Sequence, residues 1–314
     1  MNTTGSIGTC WNLCKPMVKY LTLFVLLLLM ACKDQESMNT QDLKDNIQIA
    51  LDSVDGDFAV AFRSLDGDRR ELLINEHEVF HAASTMKTPV MIEIFKQAAQ
   101  GKFDLQDSIV IKNEFYSIVD SSKYTMDLNR DSGEKLYELI GKKRPLKDLV
   151  VDMIIHSSNL ATNVVIEWVD AKNVTQTMRD LGAESIQVLR GVEDMKAYEA
   201  GLSNTTTAWD LLQIYTALAE NKAVNETSDQ EMIDILLQQA HNSIVPAKLP
   251  AEARVAHKTG WISGVRHDSG IVYMPDGRKY VLVLLSKNVE DMEKAVNMMA
   301  DLSKAIYDFM ITSS

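Results

Sequence analysis

The chain has 314 residues, of which 46% are hydrophobic and 24% charged, and a formal net charge of −12. This length is enough for one large domain or two interleaved lobes. The acidic balance argues against a nucleic acid as partner.

Residues 1–31 have the pattern of a bacterial signal peptide. Two lysines precede an apolar run, Leu21 to Ala31, that is too short to span a bilayer. Leu29-Met30-Ala31-Cys32 resembles a lipobox, which makes Cys32 the predicted lipidation site. Two alternatives stay open: Cys32 as an ordinary thiol after a plain signal peptide, and a translation start at Met17.

The remaining cysteines, Cys10 and Cys14, lie upstream of the predicted cleavage site. The mature chain therefore has no pair to oxidise and must be stable through its core alone. We expect residues 32–42 to form a polar tether and residues 43–314 to form the folded domain. The predicted location is extracytoplasmic, with a lipid anchor on the periplasmic side or at the cell surface.

The first predicted elements of the domain are a hairpin and a helix. Apolar residues alternate after Gly56, with Phe58, Val60 and Phe62 on one face, which predicts a half-buried strand. A turn at residues 66–68 and a second strand at residues 71–80 follow. The spacing of apolar residues then predicts a helix from Ser84 to about residue 99.

The middle of the chain, residues 101–245, is predicted to be an α lobe. Two short amphipathic helices, Leu146 to Ile155 and Leu160 to Val169, are separated by His156-Ser157-Ser158-Asn159. Residues 113–144 are polar and charge-rich, which indicates a surface excursion.

Strand patterns return only near the C-terminus, before a final helix that begins near Met292. The three predicted strands are Arg254 to His257, Asp268 to Tyr273 and Lys279 to Leu285. Residues 43–100 and 246–314 therefore form an α/β lobe into which the α lobe is inserted. The predicted fold class is α/β of the α+β type, with a five-stranded antiparallel sheet flanked by helices.

Ser84 and Lys87 are the first candidate catalytic pair. Three residues apart at a helix start, they share a face, and the Ser84 amide is among the unpaired N–H groups that can stabilise an oxyanion. Serine needs a base, and Lys87 can act as one only if its pKa falls from about 10.4 towards 7. Burial, the helix N-terminus and a second cation, for which Lys258 is the candidate, favour that fall.

The turn between the two middle helices and the first C-terminal strand supply further polar groups. Ser157 provides a second hydroxyl that can protonate a leaving group, and Asn159 can bind a substrate amide. Lys258-Thr259-Gly260 suits an edge strand that binds a carboxylate, and the amide of Trp261 would complete an oxyanion hole with that of Ser84. The alternatives are simple helix caps at the turn and an ordinary edge strand.

These motifs, taken in order, resemble those of the penicillin-recognising serine hydrolases, and most closely the class A β-lactamases. The resemblance extends from Asp57 to Met310. It implies that Ser84 is acylated, that Lys87 is its base and that Ser157 shuttles a proton. It also implies that Asn159 contacts a substrate amide and that Lys258 and Thr259 bind the substrate carboxylate.

Two positions depart from the family pattern. The middle residue of the second motif is usually Asp, and here it is Ser158. The deacylating glutamate of the family sits two residues after an arginine, whereas Glu193 follows Arg190 by three. Because a general base must lie within hydrogen-bond reach of its water, Glu193 stays an open candidate, with a surface glutamate as the alternative.

His77-Glu78-Val79-Phe80-His81 matches the pattern of zinc proteases, which requires a helix. Here the segment falls in a predicted strand, so no metal and no other cofactor is expected.

The sequence therefore predicts a monomeric serine β-lactamase that works through an acyl-enzyme. The alternative is a D-alanyl-D-alanine carboxypeptidase or a penicillin-binding protein that is acylated but deacylates slowly. The predicted substrate is a small β-lactam or a peptidoglycan-like peptide, and the membrane is contacted through the lipid anchor.

Overall fold

The computed structural model describes residues 1–3, 39–67 and 69–312. The predicted lipidation site Cys32 and nearly all of the predicted signal peptide and tether lie outside these residues. In the described part of the chain, no helix is both long and apolar enough to cross a membrane.

The β-strands of the described residues are numbered in chain order. They are β1 Asp57–Ser64, β2 Glu71–Ile74, β3 Phe80–His81, β4 Ser108–Val110, β5 Phe115–Tyr116, β6 Lys123–Tyr124, β7 Lys143–Pro145, β8 Thr205–Thr206, β9 Arg254–Ile262, β10 Val265–Tyr273 and β11 Lys279–Lys287.

The α-helices of the same residues are numbered likewise, and short 3₁₀ turns lie at Ala83–Met86 and Leu128–Arg130. The helices are α1 Thr40–Asp52, α2 Lys87–Ala99, α3 Glu134–Tyr137, α4 Leu146–Ile155, α5 Asn159–Val169, α6 Ala171–Asp180, α7 Met195–Glu199, α8 Ala208–Ala219, α9 Glu226–Leu236 and α10 Met292–Thr312.

Strands from both ends of the chain form one antiparallel sheet in the order β2-β1-β11-β10-β9. This confirms the predicted five-stranded sheet and leaves β9 at an edge. Alternating residues of β1 enter two separate cores. Phe58, Val60 and Phe62 pack with α1 and α10, whereas Ala59 and Ala61 pack with the helical middle of the chain. Since both faces of this strand are buried, the prediction of a half-buried strand was wrong.

Helix α1 was not predicted, because only Leu43, Ile47 and Leu51 mark its buried face. The Asn39 side chain caps it by accepting hydrogen bonds from the first amides of the helix, including that of Gln41 at 2.8 Å. Residues 40–42, expected in the tether, form its first turn.

The second predicted strand is correct only as far as Ile74. Asn75 has a φ of 50°, which turns the chain out of the sheet. Phe80 and His81 then form β3, which pairs with β8 rather than with β1.

Helices α4 and α5 agree with the prediction to within a residue at each end. The polar excursion at residues 113–144 contains β5, β6, α3 and most of β7 rather than only irregular loop. Strand β9 extends beyond the predicted Arg254 to His257 and includes Lys258, Thr259 and Gly260, which agrees with the edge strand expected for that motif.

Candidate active site

Ser84 lies in the 3₁₀ turn that leads into α2, and it is half-buried. Ala83, the residue before it, has a φ of 45°, a left-handed conformation that L-residues rarely adopt. Strain of this kind marks sites where the surrounding structure fixes an unfavourable backbone. The turn presents Ser84 one helical turn from Lys87, as predicted.

Lys87 is fully buried, and its amine meets the turn between α4 and α5. Nζ donates to the Ser157 carbonyl oxygen at 2.7 Å, to Ser157 Oγ at 3.2 Å and to Asn159 Oδ1 at 3.0 Å. None of the hydrogen bonds among the described residues joins this amine to the Ser84 hydroxyl. A neutral lysine amine has two N–H donors for these contacts and a lone pair that can accept the proton of a serine hydroxyl.

Burial lowers the pKa of Lys87 from 10.5 to about 7, against the opposing effect of the Asp131 and Glu193 carboxylates. The value agrees with the prediction, but the cause differs in part. Repulsion between the two amines acts on Lys258, whose pKa is held well below its usual range by burial and then by Lys87.

The Ser157 hydroxyl lies between the two amines. Lys258 Nζ donates to Ser157 Oγ at 3.1 Å, and Lys87 Nζ donates to the same oxygen at 3.2 Å. Ser157 has a φ of 59°, which turns its side chain out of the helical pair. A hydroxyl between two low-pKa amines can both give and regain a proton.

Asn159 connects this amine network to the loop that carries Glu193. While its Oδ1 accepts from Lys87, its Nδ2 donates to Glu193 Oε1 at 2.8 Å. Glu193 has a left-handed backbone, with a φ of 61°, and its side chain contacts Asn159 despite the one-residue displacement in sequence.

Asn163, one turn after Asn159 on α5, fixes the same loop and was missed by the sequence analysis. Its Oδ1 accepts from the Val192 amide at 2.6 Å, and its Nδ2 donates to the Val192 carbonyl oxygen at 3.0 Å. A Cβ at Gly191 would lie 2.2 Å from Asn163 Oδ1, so only glycine fits there. The sequence signal that could have revealed this residue is an asparagine within a largely apolar helix pattern. In the structure the Asn163 side chain is fully buried, so it needs hydrogen-bond partners.

Strand β9 packs directly against the 3₁₀ turn of Ser84. A Cβ at Gly260 would lie 3.2 Å from Thr85 Cγ2 and 3.3 Å from Ala83 Cβ. Close packing of the strand on the turn therefore leaves little room for a side chain at position 260. Thr259 is half-buried beside it. Trp261 is 65% exposed, with the Arg266 guanidinium over its ring at 5.3 Å.

The zinc-protease pattern has no helical geometry. His77 is exposed in a turn, whereas His81 is half-buried in β3 and its Nδ1 accepts from the Ala83 amide at 3.0 Å. Among the described residues, no three His, Cys, Asp or Glu side chains are grouped to hold a metal ion.

Two other histidines are buried and hydrogen-bonded. His257 Nδ1 lies 2.7 Å from Asp268 Oδ1, and Asp268 also accepts from the Val245 amide at 2.9 Å. His267 Nε2 lies 2.9 Å from the His81 carbonyl oxygen, and burial lowers the pKa of His267 to about 4. These contacts join the edge of the sheet to its neighbouring loops.

A cavity of about 240 Å³ opens beside Glu193. Its walls come from the β5–β6 hairpin and the start of α7, and include the Ser117 and Ser122 hydroxyls and the Lys123 and Lys196 side chains. The cavity provides room for a ligand next to Glu193.

The sequence model of the β-lactamase enzyme family matches residues 42–310. The chain belongs to this family. It is 24% identical to a β-lactamase of Bacteroides uniformis, over 93% of this chain and 98% of that one. It is 23% identical to the extended-spectrum β-lactamase PER-1 of Pseudomonas aeruginosa, over 92% of this chain and 94% of that one.

Among solved structures, that of PBP-A is similar, with a TM-score of 0.74 and 26% identity over 85% of this chain and 95% of that one. The fold prediction is therefore confirmed, and the protein is a serine β-lactamase of the class A type.

Proposed function

We propose that this β-lactamase opens the lactam amide through an acyl-enzyme on Ser84, with Lys87 as the acylation base. The observation that carries the proposal is a hydrogen-bonded network in which the buried Lys87, one helical turn from Ser84, and the buried Lys258 both contact the Ser157 hydroxyl. A lysine with a pKa of about 7 is neutral in about half of the molecules at neutral pH, and the neutral amine can act as a general base.

In the acylation step, Lys87 Nζ takes the Ser84 proton and Oγ attacks the lactam carbonyl carbon. The developing oxyanion is stabilised by the amides of Ser84 and Trp261. The carbon–nitrogen bond then breaks, and Ser157 Oγ gives its proton to the lactam nitrogen. Ser157 regains a proton from Lys87, which restores the neutral amine.

Lys258 and Thr259 bind the substrate carboxylate in this mechanism. Lys258 is buried and its pKa is low, so an arriving carboxylate stabilises its ammonium form and raises that pKa. Asn159 Nδ2 carries two hydrogens, so it can donate to the amide carbonyl of the acyl side chain while it still donates to Glu193.

Deacylation is the step assigned to Glu193. The Glu193 carboxylate takes a proton from a water molecule, and the resulting hydroxide attacks the ester carbon. The bond to Ser84 Oγ then breaks as Glu193 returns that proton to Ser84 Oγ, which restores both the serine and the carboxylate. Asp131 and Glu193 are the two carboxylates that raise the pKa of Lys87. The Asp131 carboxylate already accepts hydrogen bonds from the backbone amides of Asn159 and Leu160.

A second candidate is a penicillin-binding protein or D-alanyl-D-alanine carboxypeptidase, in which deacylation of β-lactams is slow. The displacement of Glu193 and the 26% identity to PBP-A favour it. Both candidates use the same acylation groups, so the rate of deacylation distinguishes them.

The test is to mix the purified protein with a chromogenic cephalosporin and, separately, with a fluorescent penicillin. We expect rapid turnover, no labelling of Ser84→Ala, and a stable label on Glu193→Gln. Glu199→Gln, at the end of α7 and exposed, is the matched control and should behave like the parent. A stable stoichiometric label on the parent without turnover would favour the second candidate. Labelling of Ser84→Ala would overturn the acylation mechanism.

We also propose that the enzyme is an extracytoplasmic monomer anchored by a lipid on Cys32. The lipobox-like sequence and the family support this location. Metabolic labelling with a radioactive fatty acid should mark the parent and not Cys32→Ser, which should leave the membrane fraction. Equal labelling of both would contradict the anchor.

A further inference from the structure

The Ser157–Asn159 turn has no charged residue of its own at the position where the family usually has aspartate. Ser158 instead caps α5, with Oγ accepting from the Ala161 amide at 3.2 Å. A hydroxyl satisfies one amide, whereas a helix begins with several unpaired amides. The remaining donors of this turn need another acceptor.

Asp131 is that acceptor, although it lies on a different segment, at the end of the 3₁₀ turn Leu128–Arg130. Its Oδ1 accepts from the Asn159 amide at 2.9 Å, and its Oδ2 accepts from the Leu160 amide at 2.8 Å. Oδ2 also accepts from Ser158 Oγ at 3.3 Å. The carboxylate thus contacts three consecutive residues from Ser158 onwards.

The segment that follows Asp131 holds its carboxylate in this orientation. The Gly133 amide donates to Oδ1 and the Tyr137 hydroxyl donates to Oδ2, both at 3.0 Å. Asp131 is only 7% exposed. Its acceptor sites are therefore filled by groups of the protein, as a buried carboxylate requires.

Gly133 shows that the two segments fit closely. A Cβ at Gly133 would lie 2.4 Å from Ser158 Oγ. The chain therefore combines a small residue at 158, a glycine at 133 and a carboxylate at 131. Together these three residues place the negative charge of Asp131, which belongs to a different segment, beside the Ser157–Asn159 turn.

The turn held in this way carries the two side chains that meet the Lys87 amine. Ser157 and Asn159 supply all three of its hydrogen bonds. The charged groups that face Lys87 are Asp131 and Glu193, which raise its pKa, and Lys258, whose own pKa the Lys87 amine lowers. Asp131 thus acts on Lys87 both through the turn and through its charge.

We propose that Asp131 is a positioning residue that supplies, from an upstream loop, the carboxylate missing from the middle of the Ser157–Asn159 motif. It orients Ser157 and Asn159 against Lys87 and does not touch the substrate. This inference rests on the proposed acylation of Ser84.

The first test is the acylation rate of Asp131→Asn with fluorescent penicillin across a pH series, with the melting temperature measured in parallel. Charged hydrogen bonds to the turn are lost, so we expect acylation about 10- to 100-fold slower. The acid limb of the pH–rate profile should move to lower pH, because one of the carboxylates that raise the pKa of Lys87 is removed. A purely structural role would lower the rate without moving the limb.

Glu134→Gln is the matched control, because it removes an exposed carboxylate three residues away. It should leave the rate and the limb unchanged. Parent-like acylation by Asp131→Asn, or a slower rate with an unmoved limb, would overturn the role of Asp131. Absence of labelling in the parent itself would instead refute the acylation of Ser84.

The second test moves the carboxylate into the motif. Ser158→Asp alone should slow acylation, because two carboxylates then share one set of donors. The double variant Ser158→Asp with Asp131→Asn should be acylated at least about tenfold faster than Asp131→Asn alone. A double variant no faster than Asp131→Asn, or a Ser158→Asp single variant faster than the parent, would overturn the proposal.

Discussion

The two halves of the candidate active site are held in different ways. Ser84, Lys87 and Lys258, the groups assigned to acylation, lie on a 3₁₀ turn, an α-helix and a β-strand. Glu193, assigned to deacylation, lies in the loop between α6 and α7 with a left-handed backbone. The first set is fixed by the main chain of regular elements, and the second depends on a few side-chain hydrogen bonds.

That difference predicts that the two steps respond to different substitutions. Changes in α2 and β9 should alter acylation, whereas changes around Asn163 should alter deacylation. The predictions below separate the two steps, in order of expected size.

The largest effect is expected for Lys87→Ala. Loss of the general base should slow acylation by about 10³-fold or more, since proton transfer contributes 10²- to 10⁴-fold and the Ser157 contact is lost as well. Stopped-flow labelling with fluorescent penicillin measures this rate. Lys102→Ala, an exposed lysine just beyond the end of the same helix, is the control. A loss of less than tenfold would exclude Lys87 as the base.

Asn163→Ala should separate the two halves most clearly. The Val192 amide and carbonyl lose their partners, so Glu193 is no longer aligned, and we expect deacylation to fall by about 10- to 100-fold. Acylation should change less than threefold, by about 0.6 kcal/mol or less. Asn173→Ala, which removes an exposed asparagine, is the control. Equal losses in both steps would mean that the loop and the amine network are not independent.

The pH dependence of acylation should show an acid limb near pH 7. Burial lowers the pKa of Lys87 to about 7, and only the neutral amine accepts a proton. The rate should therefore fall tenfold per pH unit below that value. Single-turnover labelling from pH 5 to 9 measures the limb, and a limb below pH 5 would contradict a lysine base.

The same shift has a consequence for stability. Since the pKa of Lys87 is lower in the folded state, the unfolded chain binds more protons between about pH 7 and 10.5. This group therefore makes the free energy of unfolding rise with pH across that window. Urea unfolding of the parent and of Lys87→Met should show a smaller rise in the variant.

The smallest effect is expected for Gly260→Ala. The new methyl group meets Ala83 and Thr85 at 3.2 to 3.3 Å, so the strand must move away from the Ser84 turn. We expect a loss of about 1 kcal/mol or more in the free energy of unfolding and a severalfold slower acylation. Thermal unfolding and labelling rates measure the two. Unchanged values would show that the contact relaxes freely.

The sequence was a sufficient guide where a local pattern and a regular element coincide. Helix periodicity placed α4 and α5, and the turn between them carries Ser157 and Asn159. Strand patterns at the two ends of the chain gave the sheet, and the edge position of Lys258 followed from it. In these cases neighbours in sequence are also neighbours in the element, so spacing alone predicts which side chains share a face.

The sequence was a poor guide where distant segments meet. Asp131 and Ser158 are joined across the lobe, and neither has a local pattern that reveals the other. Spacing alone left Glu193 open between a general base and a surface glutamate, and only the structure places its carboxylate against Asn159. The end of β2 at Ile74 was missed for a similar reason, since the pairing of β3 with β8 decides it.

By itself, then, the sequence determined which groups are candidates for acylation: a serine, two lysines and a second hydroxyl on elements that periodicity predicts. Only the tertiary structure decided that the Lys87 amine is buried against Ser157 and that Glu193 and Asp131 approach the motif. The physical reason is that the pKa of a lysine falls only when the amine is buried, and a carboxylate is buried only where hydrogen-bond donors meet it. Residues far apart in the chain provide both the burial and the donors.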